Sequence, residues 1–314
     1  MTVDGPEHLV SDGAGEPPVL VCPGMADTVL TWPAVVDLLA GRHRVVRFDR
    51  PGLGHSAPLG RLPTLAGEAD RIAAVIGRSR LRRPVLVAHS VAAWHAEAYA
   101  RLHPDDVAGL VLVDPSVAQP APGSWQVSGA ASRQRSDVVG RWRQAGAARR
   151  RDLSAVVGRW DLSAVVGRWL AGNSAELARL IDVTGLARLV GPALWAAAVR
   201  SMAARPPSRR LRNEVGPVYG GGKLVVAALA EWLTYDAMRG DLVELRRRTA
   251  PPPVPVVVLT ALGDLGSPAA RARWRVAHDR LAHSFPHGRQ EVLRDCRHLV
   301  QLDRPDAVAA AVEM

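Results

Sequence analysis

Short valine-rich runs alternate with helix-patterned segments at both ends of this chain. That alternation constrains the fold more than any other feature. The runs are Pro18–Cys22, His43–Asp49, Pro84–His89, Gly109–Asp114, Val254–Thr260 and Gln290–Asp295. They are continuously apolar, the pattern of strands covered on both faces of a parallel sheet. Helical spacing fills the segments near 31–40, 64–79, 91–103, 269–284 and 304–313. Strand, helix, strand, helix predicts an α/β architecture: a doubly wound, mostly parallel sheet. At 314 residues, 48% of them hydrophobic, the chain is large enough for one domain of that kind with an insertion.

The alternation stops after Pro115. From 117 to 250 apolar residues fall at helical spacing, between Pro120-Ala121-Pro122 at one end and Pro251-Pro252-Pro253 at the other. Proline fixes φ and removes a donor, so both stretches suit the hinges of an inserted layer. The expected organisation is a core from 1–116 and 251–314 carrying a helical cap, 117–250. Within the insertion, Asp152–Trp160 reads DLSAVVGRW and Asp161–Trp169 repeats it, with a looser copy at Asp137–Trp142. Nine residues turn a helix by about 900°, half a turn out of phase, so the copies read as a tolerated surface duplication rather than a solenoid.

Charge is as uneven as the pattern. Residues 117–250 hold 21 basic against 10 acidic residues, a surplus of 11, and the net charge of the whole chain is +10. All basic residues but Lys223 are arginines, a skew that codon usage explains. The surplus reads first as solvated helix faces, second as steering of an anionic substrate. It comes with no recognised nucleic-acid module, so no nucleic-acid partner is expected. No run approaches 18 apolar residues, and the polar, acidic start MTVDGPEHLVSDGAGEPP is unlike a secretory signal. Two cysteines, Cys22 and Cys296, make no disulfide framework. Together these point to a cytoplasmic location.

Chemistry concentrates at the ends of the apolar runs. Val85-Leu86-Val87-Ala88-His89-Ser90-Val91-Ala92-Ala93 takes a strand through a serine directly into a helical pattern. A lone serine there also serves as a helix N-cap. Val21-Cys22-Pro23-Gly24-Met25 follows the first run, and Asp49-Arg50-Pro51-Gly52-Leu53-Gly54-His55-Ser56 follows the second. A further run ends in Leu259-Thr260-Ala261-Leu262-Gly263-Asp264, and Cys296-Arg297-His298 through Pro305 comes near the C-terminus.

These segments, in this order, resemble the α/β-hydrolase superfamily, and more narrowly its bacterial, esterase-like serine hydrolases with a helical cap. Val85–Ala93 resembles the nucleophile elbow, whose usual form is G-x-S-x-G, with Ala88 and Ala92 in place of the glycines. The resemblance implies Ser90 as nucleophile, His298 as base and Asp264 as the acid, in the chain order this fold requires. Asp114, closing the fourth run, is the alternative acid, because some members place it there. The backbone N–H groups of Met25 and Val91 are the implied oxyanion donors, with Pro23 where the family usually has histidine. The 49–56 loop is structural by the same resemblance, and His55 has no catalytic part.

The implied function is a serine hydrolase cleaving a carboxylic ester or related acyl compound through an acyl-enzyme. Carbon–carbon bond hydrolysis and lactone opening use the same triad and stay open. So does a non-catalytic ligand-binding protein on this fold, which the two elbow alanines favour. Epoxide hydrolases and haloalkane dehalogenases of this fold use an aspartate where Ser90 stands. His278, His283 and His287 do not form a zinc-ligand set, and Gly220-Gly221-Gly222-Lys223 lacks P-loop spacing, so neither metal nor cofactor is expected. Of nine tryptophans, six fall in 117–250 (Trp125, Trp142, Trp160, Trp169, Trp195 and Trp232), to pack between cap helices or line a cleft over Ser90.

Overall fold

The computed structural model describes residues 7–118, 169–170 and 172–313. Seven strands form one sheet: β1 (Leu9–Asp12), β2 (Val19–Cys22), β3 (Val45–Phe48), β4 (Val85–His89), β5 (Gly109–Val113), β6 (Pro255–Ala261) and β7 (His287–Leu293). Their order is β1-β3-β2-β4-β5-β6-β7, and only β1 runs antiparallel to its neighbour. This is the mostly parallel sheet that the alternation predicts.

Period-two geometry sorts each run onto two faces. Leu20, Val46, Leu86, Leu110, Leu112, Val256 and Val258 face a core shared with helices α2 (Leu65–Ser79) and α3 (Ala92–Leu102). Val19, Val21, Val85, Val87, Val111, Val113, Val257 and Leu259 face the opposite core with α1 (Pro33–Leu39). Both sets are buried, so the runs look continuous in sequence although they alternate in space. Helix starts follow local chemistry: the Thr64 hydroxyl accepts from the Gly67 amide at 3.1 Å to cap α2.

At the N-terminus the structure differs from the sequence reading. A strand outside the six runs, the four-residue β1, pairs antiparallel with β3, Leu9 to Phe48 and Asp12 to Val45, at the sheet edge. LVSD carries no buried pattern because an edge strand covers little of its neighbour. β7 starts at His287, three residues earlier than expected, because its exposed residues alternate with half-buried ones at the other edge.

Between β5 and β6 stand α4 (Ser174–Thr184), α5 (Leu186–Met202), α6 (Arg209–Tyr219) and the long α7 (Gly222–Arg248). After β6 come α8 (Pro268–His283), then, past β7, α9 (Val300–Asp303) and α10 (Pro305–Val312). α7 joins the layers: Met238, Leu242 and Leu245 pack into the sheet-side core, while Leu224 and Ala227 pack on Leu53. The DVVGRW copy, almost all of the tandem repeat, and Trp125, Trp142 and Trp160 lie outside the described residues. Trp195 is buried beside Tyr219, whereas Trp169 and Trp232 are exposed. Among the described residues no single helix is long and apolar enough to cross a membrane.

Candidate functional site

The sheet reverses its winding between β2 and β4, and the crevice at the carboxyl ends of strands flanking such a reversal is where ligands bind in open α/β sheets. Ser90 follows β4 there, half-buried, with φ of 54°. A non-glycine residue in that region is strained and must be held from outside. Its amide donates to the Val113 carbonyl at 3.0 Å, and its carbonyl accepts from Ser116 at 3.1 Å. Ala88 and Ala92 are both fully buried and neither has positive φ, so alanine fills the two small positions and the strain falls on Ser90.

His298 follows β7. Its Nε2 lies 3.2 Å from Ser90 Oγ, which donates to it, and its Nδ1–H donates to Asp114 Oδ2 at 2.6 Å. The acid on the ring is therefore Asp114, and the expectation of Asp264 is corrected. Register gives the reason. His89 pairs with Val113, and Val113 with Leu259, so Asp114 leaves the sheet level with Ser90 on the neighbouring strand. Its amide still donates to Leu259 at 2.9 Å. Asp264 lies three residues beyond β6, one strand further away, and is exposed in a turn. Burial, the largest cause, raises its pKa, and the charge of His298 acts on it through space.

Asp114 is almost fully buried and fully bonded. Its Oδ1 accepts from the Ala261 amide and from Trp274 Nε1, each at 3.0 Å. Burial pushes its pKa up, but the hydrogen bond and charge of His298 outweigh this and hold it below the usual value. For His298 burial opposes protonation, yet the bond to Asp114, then its charge, lift the ring above the ordinary histidine value. The pair is thus poised with an ionised acid and a histidine of raised basicity. His278 backs the wall behind Asp114, donating from Nε2 to the Pro115 carbonyl at 2.9 Å.

His89 is buried at the end of β4, as its place in the strand predicts. It donates from Nε2 to the His298 carbonyl at 3.0 Å, and desolvation pushes its pKa down to about 3, so the ring stays neutral. Asp27 lies 3.9 Å from its other nitrogen; burial, only partly opposed by bonds from Thr31, Thr28 and Trp32, raises that carboxyl to about 6.

Gly24 abuts the elbow: a Cβ there would lie 3.2 Å from Ser90 Cβ and 2.6 Å from His89 Nδ1. Among the described residues the amides of Met25 and Val91 donate to no acceptor. Val91 is the N-cap of α3, where amides lack helical partners. The 49–56 loop is built around Asp49, whose Oδ1 accepts from Val29 and whose Oδ2 accepts from His55 and from His8 Nδ1. Gly54, with φ of 49°, has no room for a side chain beside that carboxylate.

The pattern of the alpha/beta hydrolase fold matches residues 17–305. The chain belongs to that family. Among curated proteins, an 85-residue segment is 40% identical to the "Probable oxidoreductase EphD" of Mycobacterium tuberculosis, covering 25% of this chain and 14% of that protein. The chain therefore spans a small part of that relative. Among solved structures, Cfl2 of Burkholderia cenocepacia is 20% identical with a TM-score of 0.62, over 98% of this chain and 90% of that one. A thermophilic esterase from Thermogutta terrifontis is 19% identical with a TM-score of 0.56, over 98% and 91%. At such identities the likeness is one of fold. Sequence reasoning passed over Arg50, Tyr219, Glu231 and Trp274. The one signal for Glu231 is a lone acid in the apolar run Val225-Val226-Ala227-Ala228-Leu229-Ala230 before Trp232.

Proposed function

We propose that this alpha/beta hydrolase is a serine hydrolase that cleaves a carboxylic ester or related acyl compound through an acyl-enzyme. The observation that carries the reading is the unbroken chain from Asp114 through His298 to Ser90, beside two amides without acceptors among the described residues. A serine hydroxyl is a weak nucleophile, and His298 Nε2 stands where it can take the proton as Oγ attacks the acyl carbon. Asp114 fixes the tautomer, with the proton on Nδ1, and stabilises the imidazolium. The oxyanion of the tetrahedral intermediate would face the Met25 and Val91 N–H groups. Collapse returns the proton from His298 to the leaving alcohol. Water, deprotonated by His298, then attacks acyl-Ser90, releasing the carboxylate and restoring the serine.

The test is covalent labelling by a fluorophosphonate together with turnover of p-nitrophenyl acetate. Ser90→Ala should abolish labelling and lower kcat by roughly 10⁴-fold or more. Folded wild-type protein that neither labels nor turns over the ester would favour a non-catalytic binding protein on this fold.

A further inference from the structure

We infer that Arg50, Glu231 and Tyr219 are positioning residues that lock the peptide units around Met25, so that its N–H is left free to face the atoms at Ser90. The inference rests on the hydrolase reading above and deepens it.

The Gly24 carbonyl accepts from Arg50 Nη2 at 2.6 Å and from the Asp27 amide at 3.1 Å. Gly24–Met25 is a trans peptide, since the cis bond among the described residues is Glu16–Pro17. In a trans peptide N–H and C=O point in opposite directions. Fixing the Gly24 carbonyl on Arg50 therefore turns the Met25 N–H the other way. The next peptide is held at its nitrogen, as the Ala26 N–H donates to Glu231 Oε2 at 2.8 Å. The Ala26 carbonyl accepts from the Tyr219 hydroxyl at 2.8 Å, and the Pro23 carbonyl from Arg50 Nη1. Ala26 has φ of 52°, a conformation that a non-glycine residue keeps only when its surroundings impose it.

The clamps are one unit. Arg50 donates from Nε to Glu231 Oε1 at 2.8 Å, and its Nη2 is 2.7 Å from the same oxygen. Both side chains are buried. A buried ion pair is weak as a source of stability, because desolving two charges offsets their attraction, and apolar residues of similar size often serve a fold as well. Here the pair spends its hydrogen bonds on the backbone of 23–26. Glu231 and Tyr219 belong to α7 and α6, so seating the helical layer on the sheet completes the oxyanion turn.

The experiment uses full-length Glu231→Ala, Glu231→Gln and Tyr219→Phe beside wild type. It reads kcat and KM on p-nitrophenyl acetate, affinity for phenylboronic acid as a tetrahedral adduct on Ser90, the acid limb of kcat/KM, and hydrogen exchange of a peptide spanning 22–27. Removing one oxyanion donor costs about 10²–10³ in kcat, which bounds a misaimed one. Glu231→Ala should lower kcat by about 10- to 100-fold within that bound, leave KM within about two-fold, and weaken the boronate by the same factor as kcat. The acid limb, set by His298, should not move. Glu231→Gln keeps an acceptor for Ala26 and should lose less. Tyr219→Phe should lose about three-fold, near the net worth of one neutral hydrogen bond. Exchange at 22–27 should quicken in the order of these losses.

Wild-type kcat and boronate affinity in the glutamate variants, or an effect on KM alone, would overturn the inference. If Glu231→Ala does not fold, Glu231→Gln and Tyr219→Phe decide it by the same readings. If wild type itself neither labels nor turns over ester, the hydrolase reading fails. Exchange then still judges the clamp: unchanged protection at 22–27 in all variants overturns it.

Discussion

The sheet and the helical layer between β5 and β6 handle apolar residues in opposite ways. In the sheet Leu20, Leu86, Leu110 and Leu112 are wholly excluded from solvent, because helices cover both faces. In the helical layer Val183 is 85% exposed, Leu189 78% and Leu194 65%, while the charged Glu231 is buried. A helix packed on one side has more apolar surface than its neighbours cover, so periodicity there overstates burial. In the sheet an apolar residue reports packing. In the helical layer the buried acid is the more informative residue, since burial of a charge demands partners. The arginines at 205, 209, 210 and 212 stand exposed on the same layer.

The largest expected effect tests the sheet side. Asp114→Asn should lower kcat by about 10⁴-fold, because the amide would leave His298 in the wrong tautomer. Asp264→Asn should stay within about ten-fold, since that carboxyl acts on the ring only at a distance. Steady-state kinetics on one ester compares them, and equal losses would return Asp264 to the site.

Next comes packing. Leu112→Ala, at the centre of β5, should cost about 2–5 kcal/mol by denaturant unfolding. Leu189→Ala in α5 should stay within about 0.5 kcal/mol. Similar costs would mean that the exposed face of α5 is covered in solution, and the contrast between the layers would fall.

A smaller effect is in pH. Neutral His298 is the active base, so kcat/KM should fall as pH drops through its pKa. Asp114 raises that pKa, and the acid limb should therefore lie above 6.5, the ordinary histidine value. Asp114→Asn removes the raising charge and should move the limb to lower pH while the plateau falls. A limb that stays in place would separate it from His298.

The smallest effect concerns stability. His89 is buried and neutral, with its pKa pushed down to about 3, and His95 is pushed down to about 4, each chiefly by desolvation. Between pH 6.5 and those values the unfolded chain binds more protons than the folded one, so stability should fall as pH falls. His95→Leu should shallow the decline of Tm across that window, and an unchanged slope would show that His95 is charged in the fold.

Much of this was legible along the chain because it is local. Each buried strand is a run, each helix a spacing, and Ser90 and His298 stand in motifs with fixed neighbours. The sheet, the helical insertion, the elbow and the loop at Asp49 follow from residues a few positions apart. The edge strand β1 was hard to see because its four residues, two apolar then two polar, form neither a continuous run nor an alternation.

Long-range placement was decided only in three dimensions. Asp114 and Asp264 each follow a buried run, and nothing in their neighbours distinguishes them. Register chooses, because Asp114 leaves the sheet level with Ser90 and Asp264 does not. Arg50 and Glu231 are 181 residues apart and meet on one turn of backbone. Periodicity reports which face of an element is covered. It does not report which distant group arrives there, since that depends on strand stagger and on how α7 seats against the sheet.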